Sequence, residues 1–139
     1  MDTAFHYLAL SGLLTILLWT PYILARLFTW GLPTFLNNYP EGFPAKQPEP
    51  QLWAQRAQRA HLNMVETMPA FIAVVLAAAY FAKSDATIIP VVAQWAMIFF
   101  FARVAHAVVY ILGIPYLRTP VYLLSWLAVL VIGAQSILG

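Results

Sequence analysis

The sequence contains no cysteine, and only 9% of its 139 residues are charged. The first absence rules out a disulfide framework and a protein thiol as nucleophile or soft metal ligand, so any sulfur chemistry must arrive with a ligand. The second departs far from the roughly 25% of an ordinary soluble domain. With 63% hydrophobic residues, a chain this short could not hide its apolar surface from water. The formal charge of +2 is small and no basic run stands out, which argues against nucleic-acid binding. The apolar runs are too long and too unalternating for barrel strands. In lipid the remaining solution is the helix, which satisfies its own backbone.

Hydropathy predicts an all-α integral membrane protein, a four-helix bundle in a single domain over 1–139, with spans at about 3–28, 56–82, 87–112 and 118–138. Asp2 in place of a basic start, and no small-residue cleavage site, mark the first as a retained helix. Trp30 to Pro50 is so dense in Pro and Gly that it predicts a connector without helix. Lys83, Ser84 and Asp85 form a tight second turn, and Gly113 with Pro115 break the chain before the last span. Arg26, Lys46, Arg56, Arg59, Arg103 and Arg118 lie toward the first and third loops, which the positive-inside bias assigns to the cytoplasm.

The uncharged stretches of the second and third spans are too short to cross by themselves, so charged residues must enter the membrane. Each costs roughly 2.5 to 3.5 kcal/mol on insertion scales unless it faces the bundle or a wet cavity. On the second span Arg56, Arg59, Asn63 and Glu66 fall within about 80° of arc; on the third, Arg103, His106 and Tyr110 fall within about 60°. Arg26 and Arg118 stand at similar depth. This surplus of cations over Glu66 points to an anionic guest, and guanidinium forks suit carboxylates. Blander roles remain open: Arg56 snorkelling to headgroups, Arg59 with Glu66 as a structural ion pair, Asn63 as an interhelical hydrogen bonder, Arg26 as a topology anchor, His61 and His106 as packed or hydrogen-bonded side chains. Trp30, Trp53, Tyr116 and Tyr122 fit an aromatic belt. The histidines lack ligand-like spacing, so no metal site is expected.

The run Arg59-Ala60-His61-Leu62-Asn63-Met64-Val65-Glu66-Thr67-Met68-Pro69, with Phe101-Ala102-Arg103-Val104-Ala105-His106, Tyr110 and Arg118-Thr119-Pro120, resembles the MAPEG family, the membrane-associated proteins of eicosanoid and glutathione metabolism. The likeness extends along nearly the whole chain and is greatest to compact bacterial members. Leu62 stands where some eukaryotic relatives carry a further basic residue, and Arg26 stands where they carry a basic cluster. The resemblance implies a homotrimer in a bacterial inner membrane, with glutathione as co-substrate between subunits near the cytoplasmic face. It implies a transferase, isomerase or peroxidase acting on a hydrophobic small molecule that arrives through membrane lipid. Arg26, Arg59, Asn63, Glu66, Arg103, His106 and Tyr110 are the candidate glutathione-binding residues, and Arg118 and Thr119 the candidate catalytic pair beside the sulfur. A non-catalytic membrane scaffold of the same fold is the competing expectation, and a small transporter a third.

Overall fold

The computed structural model describes residues 1–36 and 49–138. Helices α1 (Asp2–Leu17) and α2 (Trp19–Trp30) run on through Leu18, which keeps right-handed helical dihedrals, as one apolar span from Asp2 to Trp30. The short α3 (Leu32–Leu36) follows Gly31. Helix α4 covers Leu52–Phe81, α5 covers Ile89–Leu112 and α6 covers Arg118–Leu138. Among the described residues, four helical segments are thus long and apolar enough to cross a membrane, the architecture the composition predicts.

The connector holds a surprise. Leu32–Leu36 is helical although Pro33 lies within it, because proline at the second position of a helix removes an N–H that has no intrahelical acceptor there. The remainder of that proline-rich stretch, 37–48, lies outside the described residues. Helix α4 begins at Leu52, one turn before Arg56, and continues through Pro69. Near that proline, the Thr67 hydroxyl donates back to the carbonyls of Asn63 (3.1 Å) and Met64 (3.0 Å).

Helix α5 is the hub, packed by α1, α4 and α6, while α2 lies against α4. Lipid tails are as apolar as leucine, so close fit drives helix association here. Phe71 of α4 and Phe99 of α5 stack at 3.8 Å between centroids, and the small residues Ala78, Ala96 and Ala128 let backbones approach around them. Large apolar side chains such as Phe28, Leu76, Trp126 and Leu130 cover the outside, as a lipid-facing surface requires.

Candidate functional site

Arg103 is the largest fully buried side chain, 1% exposed. Its Nη2 donates to Asn63 Oδ1 at 2.7 Å, Nε to Met64 Sδ at 3.2 Å and Nη1 to Ser125 Oγ at 3.5 Å. The guanidinium also lies 5.8 Å from the Tyr122 ring centroid. Among the described residues, none of these partners is a carboxylate. The polar stripes of α4 and α5 therefore meet at Asn63 and Arg103, as a cation held by neutral acceptors. A guanidinium accepts nothing, so Asn63 must turn its oxygen toward Arg103 and its amide N–H2 elsewhere.

Asn63 also lines a cavity of about 300 Å3, together with His106, Tyr110, Arg118, Thr119 and Tyr122. Local chain chemistry builds its mouth. Gly113 ends α5 at φ 69°, and two backbone bonds, Ile114 N–H to Val109 C=O (3.0 Å) and Gly113 N–H to Tyr110 C=O (3.1 Å), close the left-handed glycine cap. Pro115 and Tyr116, the latter at φ 66°, turn the chain into α6 and bring Arg118 back over Tyr110, 5.1 Å from its ring centroid. A second cavity of about 280 Å3 adjoins the first across Tyr110, Arg118 and Thr119 and adds Arg56 to the wall. The Arg56 guanidinium lies against Gly113, so it covers the α5 terminus, where a cation suits the helix dipole. Among the described residues lining the two cavities there are two arginines and no carboxylate.

The other candidates separate. His106 is 2% exposed, set edge-on against Tyr110 (5.5 Å) and tilted against Tyr122 (6.0 Å), and it lines the first cavity. Arg26 lies outside both cavities, donating to Gln58 Oε1 at 3.0 Å and placed against the rings of Tyr22 (5.4 Å) and Trp30 (5.6 Å). Beside it the Tyr22 hydroxyl and His61 Nδ1 are hydrogen-bonded at 2.8 Å. Arg59 and Glu66 are exposed on α4 and make no ion pair with each other. Glu66 instead edges a third cavity, of about 250 Å3, between α4 and α6.

Tyr122 is the residue that sequence reasoning misplaced. Read as a belt aromatic, it turns inward between Arg103 and His106 and lines both the first and the third cavity. A signal existed: Arg118, Tyr122 and Ser125 recur at i, i+4 and i+7, a polar stripe on α6 like those on α4 and α5. Ser125, which donates to the Tyr122 carbonyl at 2.7 Å while accepting from Arg103, belongs to the same stripe.

Fold and site together define a polytopic helical membrane protein with a cation-lined polar cavity at one end of its bundle. The MAPEG family model matches residues 3–138, nearly the whole chain, and the chain belongs to the MAPEG family. That family includes glutathione transferases and related enzymes, and its proteins generally use glutathione. Neither the curated proteins nor the solved structures gave a match.

Proposed function

We propose that this protein is a membrane-bound glutathione-dependent transferase, with isomerisation or peroxide reduction as related outcomes of the same thiolate, acting on a lipophilic electrophile. The observation that carries this reading is the pair of adjoining cavities walled by Arg56 and Arg118 without a carboxylate. Such a site favours a guest with surplus negative charge, and glutathione brings two carboxylates and an ionisable thiol. The thiol, with a pKa of about 8.5 when free, is mostly protonated at neutral pH, and a nearby guanidinium favours the reactive thiolate. Arg118 takes that role, with Thr119 as an auxiliary donor. Asn63 offers its amide N–H2 to the peptide backbone, and Tyr110 and His106 shape the floor. Arg103, sealed behind Asn63, acts as a positioning residue.

On this reading Arg59 and Glu66, exposed on one protomer, meet the charged ends of glutathione where subunits of a homotrimer adjoin, and Arg26 contributes from a neighbouring copy. An exposed carboxylate facing hydrocarbon would be costly, which supports a contact at that surface. The positive-inside bias of the basic residues supports a site opening to the cytoplasmic side.

The test is glutathione titration of the detergent-purified protein with thiolate absorbance followed near neutral pH. Wild type binds glutathione and develops the absorbance; Arg118→Ala loses the absorbance while keeping most of the binding. Binding without thiolate or turnover in wild type would make the protein a scaffold and overturn the proposal.

A further inference from the structure

The turn that carries the chain from α5 into α6 holds a strained backbone conformation. Leu117 N–H bonds back to Pro115 C=O at 2.9 Å, a three-residue γ-turn centred on Tyr116, whose φ is 66°. The positive-φ form of that turn is rare and strained, and among the described residues Tyr116 is the one non-glycine residue with φ above zero. Nothing local offsets the cost. The Tyr116 side chain is 94% exposed, and among the described residues it makes no hydrogen bond or ring contact. Strain of this kind persists where the surrounding structure fixes it, and it gathers at ligand clamps and switches. Here both flanks are fixed: the Gly113 cap closes α5, and a bond from Val121 N–H to Leu117 C=O at 3.2 Å opens α6. Tyr116 is the joint between them.

The joint stands beside the proposed thiolate partner. Tyr116 lines the second cavity together with Arg56 and Arg118, and Arg118 follows it by two residues, 5.1 Å from the Tyr110 ring centroid. A change of φ at Tyr116 displaces Arg118 first, since α6 beyond it is held by packing on α5. Resting on the transferase reading, we propose that Tyr116 is a positioning residue: its turn is a strained hinge that holds Arg118 at the sulfur while the thiolate is present and gives way for product release. A thiolate attracts the guanidinium and so reinforces the closed turn. Once the sulfur has bonded to carbon, and the leaving group has taken the electron pair of the broken bond, the sulfur is a neutral thioether. That attraction is then gone while the strain remains. The turn opens to negative φ at small cost, Arg118 swings from the cavity, and the product leaves.

The experiment follows dissociation of S-hexylglutathione, a thioether that stands for product, by stopped flow from the full chain in detergent. Tyr116→Gly and Tyr116→Ala both remove the ring, but glycine adopts positive φ freely whereas alanine keeps the penalty. The hinge requires release from Tyr116→Gly to be about 5- to 25-fold slower than from Tyr116→Ala, the left-handed penalty expressed as a ratio. Tyr116→Asn, which also tolerates positive φ, must shift the same way. Equal release from the Gly and Ala variants overturns the proposal even if Tyr116→Gly melts higher, because strain relief alone raises stability without touching release. A change common to all three variants would assign the Tyr116 ring to headgroup anchoring, and would overturn the hinge as well. A wild type that binds neither glutathione nor S-hexylglutathione would sink the transferase reading itself, and the hinge with it.

Discussion

Two arginines on neighbouring helices, Arg103 of α5 and Arg118 of α6, illustrate opposite uses of the same side chain. Arg103 is sealed, and four neighbouring side chains supply what water would have supplied. Arg118 is exposed at the cavity mouth beside the Tyr110 ring, and among the described residues none accepts a hydrogen bond from its N–H donors. A buried cation without a counter-charge is tolerated when its hydrogen bonds are satisfied, and it then becomes part of the scaffold. A cation left with spare donors in a polar cavity is available for a guest. The contrast teaches that the count of intramembrane charges measures neither role; the partners do.

The sharpest way to break this comparison is to truncate the open member. Arg118→Ala should reduce glutathione-dependent turnover by roughly 100- to 1000-fold, the loss expected when a preorganised donor to a developing anion is removed. The midpoint of thermal unfolding should hardly move, because an exposed side chain away from the core changes stability by no more than about 0.5 kcal/mol. Steady-state kinetics and a melting curve on the same preparation decide the matter. A variant that unfolds instead would show that Arg118 belongs to the frame.

Truncating the sealed member should have the reverse signature. Arg103→Ala leaves Asn63 and Ser125 without their donor and opens a void beside Met64, a loss of about 3 kcal/mol of stability. Arg103→Met should recover much of that, since an apolar side chain of similar volume escapes the cost of burying charge. It would not restore glutathione affinity, because Asn63 is then free to turn its amide. Denaturation in detergent and calorimetric titration of glutathione separate the two effects: stability regained with affinity still weak supports a positioning role, while full recovery of both removes it.

The sequence carried the spans and the facing stripes of α4 and α5 legibly because lipid enforces both. Polar groups in hydrocarbon are costly enough to favour an interior face for Arg103 and Asn63, and the helical repeat then shows which residues are candidates to share that face. What was hidden depends on helix rotation and close approach. Arg26 and Arg59 lie on spans of the right depth, yet one rotates toward Gln58 and the other outward, which no spacing within a single helix reveals. Tyr122 was hidden by its type, since tyrosine serves membrane belts and wet cavities alike. Arg56 was open between headgroup and interior, and only the fold of the α5 terminus places it against Gly113.

That contact sharpens the comparison on a smaller scale, because Arg56 is half sealed and half open. Gly113 adopts a left-handed backbone at φ 69°, which costs an L side chain about 1 to 2 kcal/mol, and an added methyl would also strike the Arg56 guanidinium. Gly113→Ala should lower stability by about that amount and shift Arg56 within the second cavity, weakening glutathione binding a few-fold. Combining it with Arg56→Ala distinguishes the parts. The backbone penalty persists in the double variant, and any stability it regains over Gly113→Ala measures the clash.

The mildest effect is expected at the opposite end of the bundle, where the turn between α4 and α5 lines none of the three cavities described above. Asp85 accepts hydrogen bonds there from the Thr87 hydroxyl at 2.6 Å and the Thr87 N–H at 2.9 Å, and these hold its carboxyl below the usual carboxylate range. A carboxyl whose folded pKa is lower than its unfolded one, about 3.9 for a free aspartate, stabilises the fold in full above that unfolded value. The contribution disappears as pH falls through the lower, folded value, because protonation removes the acceptor that the turn was using. Asp85→Ala should therefore flatten the acid limb of a plot of melting temperature against pH, lowering the plateau above about pH 4 slightly and leaving glutathione affinity unchanged. If affinity moved with it, the two ends of the bundle would be energetically coupled through α5, and the separation drawn between frame and site would have to be given up.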